Sequence, residues 1–521
     1  MVYSGAPQLT AKIRNICKSV ALSGLFFSTL FIMPVSAKYT EIFSTYQLDL
    51  GFSVTQPVLI VNLLPQPGNE LVVIGMDDKQ QRVVAIYALT PSSKGLVELD
   101  KFILPEKVFA YDVGEPQQNG TQNLYFLDKL MVSRYVPAHL SQPSTLSDAQ
   151  AIKSMYLSDR GQSLKPLDFV QELNNDGLDD LILPDFEQLN LWLSDCCGAR
   201  HPQSLPIAAR LEINESSVRY DDQDIYFADM NGDGKTDLIT VQKGQLNVFE
   251  QNINMQFSPK PRTVAINDAI HGINWWDMTG PNDQEIDQSD IKHRKVKGID
   301  DFNADGIPDL AVEYTNSTGV LDKTIDYEFF YGALKDAQVT FSKRANTKIT
   351  SEDTLSNLAF LDINMDGKKE VTVSSYDIGI SQIVSALLSG SVDQDVLIFS
   401  MDNNNQFSKT PLVSQEVEIT FSLSSGTRGQ PLVKMMDVNG DNFKDIVYSD
   451  GDDVIRALMA TPSERDPYDS RSLRQKISLP KNPSEASAED INDDGKVDLV
   501  LHFGSVDSPE KLKRLLVLIA N

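Results

Sequence analysis

Cysteine is scarce in this chain: there are three in 521 residues, and two of them, Cys196 and Cys197, are neighbours. Adjacent Cα atoms lie about 3.8 Å apart, below the roughly 4.4–6.8 Å of ordinary disulfides. Cross-linking therefore does not hold the fold. Two unpaired thiols, a strained bridge between neighbours and a bridge to another chain remain open. Histidine is equally sparse, at positions 139, 201, 271, 293 and 502. The sequence has no Gly-rich phosphate loop, no Gly-x-Ser-x-Gly and no His-x-x-x-His pair, which removes the commonest nucleotide, esterase and zinc-hydrolase signatures. Positive charge is also short, with 46 Lys and Arg against 73 Asp and Glu. A chain this acidic repels nucleic acid and anionic membrane surfaces and attracts cations.

Long apolar runs are missing beyond the first 37 residues, so no later segment is expected to span a membrane. Residues 1–37 differ in composition from the rest. Lys12, Arg14 and Lys18 precede an apolar stretch from Val20 to Pro34, and Val35-Ser36-Ala37 ends it with small residues. This is the pattern of a secretory signal peptide cleaved after Ala37, leaving residues 38–521 as the exported protein, periplasmic or at the cell surface. The alternative is a membrane anchor, against which stand the short length of the run and its Ser23, Gly24, Ser28 and Thr29. Removing residues 1–37 removes three positive charges and takes the formal net charge from −27 to −30.

The acids are clustered. Six segments share the pattern acid-x-Asn-x-Asp-[Gly/Asn]-x-x-acid: ELNNDGLDDLIL from Glu172, DMNGDGKTDLIT from Asp229, DFNADGIPDLAV from Asp301, DINMDGKKEVTV from Asp362, DVNGDNFKDIVY from Asp437 and DINDDGKVDLVL from Asp490. Side chains at positions one, three and five of a tight loop converge. Position six must turn sharply, which favours Gly, with Asn442 the substitute in one copy. Position seven offers a carbonyl and position nine a further carboxylate. An all-oxygen cage of this kind suits Ca²⁺ better than Mg²⁺. The expected ligands are Glu172, Asn174, Asp176 and Asp180; Asp229, Asn231, Asp233 and Asp237; Asp301, Asn303, Asp305 and Asp309; Asp362, Asn364, Asp366 and Glu370; Asp437, Asn439, Asp441 and Asp445; and Asp490, Asn492, Asp494 and Asp498. That makes up to six calcium sites. No copy has the position-twelve Glu of an EF-hand, and each loop runs into a short β-rich stretch and not into a helix. Plain acidic turns are the bland alternative.

These segments resemble FG-GAP/VCBS repeats, the units of the integrin α-chain head and of many bacterial exported proteins. The resemblance implies an all-β fold, a single β-propeller in which each repeat is one four-stranded blade and the acidic loop joins the first two strands. Two faded copies, PVLIVNLLPQPGNELVVIGMD from Pro57 and KVFAYDVGEPQQNGTQNLYFLDK from Lys107, bring the units to eight. The last unit lacks a fourth strand, and the orphan EIFSTYQLDL from Glu41 would supply it and remove the open edges. A seven-bladed ring with a free N-terminus is the alternative count. After Asp301 the second, third and fourth strands read LAVEY, DYEFFYG and VTFSKR.

Three insertions stand out: Asn267–Lys297, the stretch from Asp377 and the stretch from Ser422. Long loops on a rigid scaffold commonly carry function. The first holds Trp275 and Trp276, which either bind a partner or plug the core. The reading that follows is a non-catalytic protein-interaction or adhesion scaffold. A carbohydrate-binding lectin and a polysaccharide lyase or hydrolase, both known on propellers, are the alternatives.

Overall fold

The computed structural model describes residues 41–90, 95–138, 143–156, 164–214, 217–221, 223–278, 289–319, 322–351, 354–376, 391–421, 428–429, 431–463 and 467–521. The expected signal peptide, the Asp377 insertion and most of the Ser422 insertion lie outside them. Among the described residues there is no α-helix, and no helix long and apolar enough to cross a membrane.

Short apolar runs punctuated by Gly, Asn and Asp turns make antiparallel meanders. Sheet I comprises Leu59–Val61, Glu70–Met76, Arg82–Thr90 and Gly95–Ile103. Sheet II comprises Ala110–Val113, Leu124–Leu127, Met131–Val136 and Thr145–Ala151. Sheet III holds Val170–Gln171, Asp180–Pro184, Leu189–Ser194 and Arg200–Leu205. Sheet IV holds Ile225–Ala228, Asp237–Gln242, Gln245–Phe249 and Arg262–Ala265. Sheet V is Lys292–Asp300, Asp309–Gly319, Asp322–Phe330 and Thr347–Ile349. Sheet VI is Thr354–Leu361, Glu370–Tyr376, Ser391–Phe399 and Val413–Phe421, tied to sheet V by one parallel pair, Ile325 with Thr354. Sheet VII contains Val433–Met436, Asp445–Ser449, Val454–Leu458 and Leu473–Lys476. Sheet VIII contains Ala486–Glu489, Asp498–His502, Arg514–Ala520 and, from the other end of the chain, Phe43–Asp49.

The expected partnership of the Glu41 segment with the chain's far end is thus present, in antiparallel register from Phe43 opposite Ala520 to Asp49 opposite Arg514. Gln475 of sheet VII staples it. Its Oε1 accepts the Ile42 and Phe43 amides at 2.7 and 2.8 Å, and its Nε2 donates to Phe43 O at 2.7 Å.

Both faces of most sheets are apolar, which is why Leu71-Val72-Val73-Ile74 reads as an unbroken run. Leu71 and Val73 pack with Val500, Leu515 and Val517 of sheet VIII, whereas Val72 and Ile74 pack with Leu124 and Phe126 of sheet II. The same sharing continues between sheets II and III, III and IV, IV and V, V and VI, VI and VII, and VII and VIII. Truncating a wholly buried Leu or Phe in such a core costs about 2–5 kcal/mol.

One strand assignment is corrected. Val339–Phe341, the expected fourth strand of the Asp301 unit, instead forms a side hairpin with Gly332–Leu334. Thr347–Ile349 takes its place, pairing with Tyr327–Phe329. Tyr331 and Gly332 break the direct path to the next strand: Gly332 N–H donates to buried Asp309 at 2.8 Å, and a side chain on Gly332 would strike Pro308 O, so the chain leaves the sheet there.

Acidic loops and an exposed tryptophan

The six acidic segments all join the first and second strands of sheets III to VIII. Position six is left-handed throughout, with φ between 73° and 86° at Gly177, Gly234, Gly306, Gly367, Asn442 and Gly495. Position four is left-handed too, at Asn175, Gly232, Ala304, Met365, Gly440 and Asp493. For Ala304 and Met365 this costs roughly 1–2 kcal/mol each. Short polar bonds hold the coil in return. Asp229 Oδ1 accepts the amides of Asn231, Gly232 and Asp233, and its Oδ2 accepts Gly234 at 2.7 Å. In every copy the Asn at position three accepts the position-five amide, and the Asp at position five accepts the position-seven amide. Carboxylate and amide oxygens of positions one, three and five are thus gathered around each coil, the donor type that could hold a hard cation. Buried Asp362 Oδ1 has no hydrogen-bond partner, the kind of atom a cation would satisfy. In the Asp229 loop, Lys235 reaches Asp233 at 2.8 Å and offers a competing positive charge.

Position nine behaves differently. Asp180, Asp237, Asp309, Glu370, Asp445 and Asp498 are wholly buried at the start of the second strand. One oxygen of each accepts the position-two amide: Leu173, Met230, Phe302, Ile363, Val438 and Ile491, at 2.9–3.2 Å. In five copies the other accepts an amide far along the chain, from Ser194, Gln251, Gly332, Ala460 or Ala520. Burial pushes these carboxyls up, to about 7 for Asp180, Asp309 and Glu370 and about 6 for Asp237, Asp445 and Asp498. With position nine turned to backbone amides, no three acidic, histidine or cysteine side chains among the described residues stand together tightly enough to grip one ion. Positions one, three and five thus turn their oxygens around the coil, and position nine also serves as a pin between strands.

Sequence reasoning missed one such pin. Glu70 of sheet I accepts the amides of Leu63 and Leu64 at 2.8 and 3.1 Å and the Gln66 side chain at 2.8 Å. Its loop lacks the other acids, so only the spacing from Asn62 to Glu70 could have revealed it.

Trp275, Trp276 and Asp277 form a single 3₁₀ turn between sheets IV and V. Neither indole is buried, so neither plugs the core, and Trp276 is 61% exposed. The rings meet edge to face at 5.3 Å, and Lys323 Nζ sits 4.5 Å above Trp275. Asp277 anchors the turn through Asn274 at 2.9 Å and Arg210 at 3.2 Å. Beneath it, His293 Nε2 lies 2.8 Å from Ile273 O, with the His271 ring 4.9 Å from its own. Burial lowers both imidazoles below the usual histidine range.

No family model matches the chain, and no curated protein does. Solved structures align over most of its length at low identity. An Agrocybe aegerita lectin that recognises non-reducing terminal N-acetylglucosamine is 11% identical, over 83% of this chain and 94% of its own, with a TM-score of 0.37. Saccharomyces cerevisiae Sqt1 is 8% identical over 92% and 99%, and the Dos1 propeller 9% identical over 92% and 95%, each with a TM-score of 0.41.

A polar cleft between sheets II and III escaped the sequence reading. Asn123, Tyr125, Arg134, Asp179, Asp195 and Arg200 line it. Asp179 is buried, and its Oδ2 accepts Asn123 Nδ2 at 2.7 Å and Tyr125 OH at 2.9 Å. The doubled acid of Asp179-Asp180 is visible in the sequence, but its two side chains serve different sheets.

Proposed function

We propose that the eight sheets are the blades of one closed propeller of the FG-GAP/VCBS type, exported after loss of residues 1–37. Supporting the closed ring is the order of the cores: each is shared by consecutive sheets, and sheet VIII shares one with sheet I. The loops of sheets III to VIII bind up to six Ca²⁺ through positions one, three and five, and the cation stabilises the fold without taking part in a reaction. The protein works as a non-catalytic interaction or adhesion scaffold. The observation that carries this reading is Trp276, a large aromatic held out to solvent on a turn fixed from below by Arg210 and Asn274. Rigid exposed tryptophans are typical anchors of interfaces. A glycan partner is the second reading, favoured by the open indole beside hydrogen-bonding side chains.

The test is direct. The chain and its Trp276→Ala variant are applied to a glycan array and to crosslinking capture from surface extracts, with calcium and with chelator. Loss of a saturable partner in the variant, with an unchanged melting curve, supports the scaffold reading. Equal binding by both proteins overturns the assignment of this surface.

A further inference from the structure

Cys196 and Cys197 sit at the tip of the hairpin between Leu189–Ser194 and Arg200–Leu205. In an extended strand, neighbouring side chains point to opposite faces. Here the backbone turns instead. Asp195 N–H donates to Ala199 O, and Gly198 N–H donates to Asp195 O, both at 2.9 Å, with Gly198 at φ 80°. The Asp195 carboxylate locks the turn: its Oδ1 accepts the amides of Cys197 and Ala199 at 2.9 Å, and its Oδ2 lies 2.9 Å from His201 Nε2. The consequence is that both thiols are exposed, with their sulfurs only 3.7 Å apart. Cys17 is the only other cysteine in the sequence.

We propose that Cys196 and Cys197 form a reversible dithiol–disulfide site, oxidised by exchange with a small-molecule or protein disulfide. One thiol loses its proton and attacks a sulfur of the incoming disulfide, expelling a thiolate and forming a mixed disulfide. The neighbouring thiol then loses its proton and attacks the protein-side sulfur, expelling the second thiolate and closing Cys196 to Cys197. The incoming disulfide gains two electrons, the two cysteines lose them, and the two protons pass to the released thiolates.

Three features fit such a site. The sulfurs need to close only from 3.7 Å to about 2.05 Å. The Cα atoms of neighbours, about 3.8 Å apart, strain the bond, and strained, exposed disulfides are the easily reduced ones. The same turn lends Asp195 and Gly198 to the wall of the cleft that holds Arg134, Asp179 and Arg200, so the two cysteines lie at the rim of that cleft. The hydrogen bond from Cys196, and then the charge of Asp195, raise the Cys197 thiol, so exchange quickens as pH rises.

The experiment uses the full chain carrying Cys17→Ser, incubated with oxidised glutathione. The expected product is a monomer that has lost both titratable thiols, whose peptide map shows one intrachain bond and no retained glutathione. Dithiothreitol restores both thiols. Adding Cys196→Ser or Cys197→Ser should instead trap a stable glutathione adduct on the remaining cysteine. The turn is exposed, so an unchanged melting curve checks that these variants fold. Glutathione retained on both cysteines, disulfide-linked dimers, or no reaction would each overturn the proposal.

Discussion

The loop between the first two strands has the same span in sheet I, from Asn62 to Glu70, as in sheet IV, from Asp229 to Asp237. Both end on a wholly buried carboxylate that accepts an amide near the loop's start: Leu63 to Glu70 at 2.8 Å, and Met230 to Asp237 at 3.0 Å. They differ in between. Sheet IV gathers Asp229, Asn231 and Asp233, whereas sheet I has Asn62, Leu64 and Gln66. Two jobs that the repeat superimposes are thereby separated. The last acid fastens the first strand to the second and is present in sheet I, where the rest of the pattern is absent. The first three polar residues serve something else, which we assign to the cation.

The largest effect that separates the two kinds of loop is calcium removal. Extracellular calcium modules bind at roughly 10⁻⁴–10⁻³ M, and a site filled at ten times Kd adds about 1.4 kcal/mol. Six sites sum to ~8 kcal/mol, so excess chelator should lower the calorimetric Tm by many degrees, with magnesium restoring little. An unchanged curve would make all seven loops mere turns and erase the distinction.

Second in size is the pH response. The six position-nine carboxyls titrate near 6–7 when folded, because of burial, and lower when unfolded. A raised carboxyl contributes stability that is complete below its unfolded value and lost as pH rises through its folded value. In chelator, Tm should therefore rise between pH 7.5 and pH 5.5, and saturating calcium should flatten or reverse that trend. A Tm that falls on acidification in chelator would show that these acids stay ionised on their amides.

Single pins come next. Glu70→Ala strands the amides of Leu63 and Leu64, and Asp309→Ala those of Phe302 and Gly332. Each variant should lose about 2–5 kcal/mol in denaturant titrations in chelator. Glu70→Ala should leave the calcium response whole, and a calcium response that shrank with Glu70 would break the separation. Asp233→Ala should show the smallest effect. It should cost about 1.4 kcal/mol in calcium and far less in chelator, with one fewer ion bound by calorimetric titration.

Much of this could be read from the chain because its signals are local. Acid-Asn-Asp-Gly coils followed by Leu-Ile-Leu or Leu-Val-Leu fix a turn and a buried strand within a dozen residues, and the Glu41 segment matched the vacancy beside Arg514–Ala520. What escaped is set by distant partners. Nothing near Asp237 announces that the Gln251 amide will reach it, or near Asp309 that Gly332 will. The displacement of Val339–Phe341 from sheet V is likewise decided by packing and not by propensity. The left-handed Ala304 and Met365 run against local preference, and only the coil's bonds hold them there.

The register of Phe43–Asp49 on Arg514–Ala520 also sets how the molecule responds to mechanical load. Because the strands are antiparallel, Phe43 and Ala520 lie side by side, and Ile42 O accepts the Asn521 amide at 3.0 Å just beyond them. A pull applied through the residues preceding Phe43 and following Ala520 acts across the ladder and not along it. The pairs would then open one after another, from Phe43 with Ala520 towards Asp49 with Arg514, like a zipper and at low force. Gln475 grips the first tooth through Ile42 and Phe43, so tearing must also release a buried amide side chain of the neighbouring sheet.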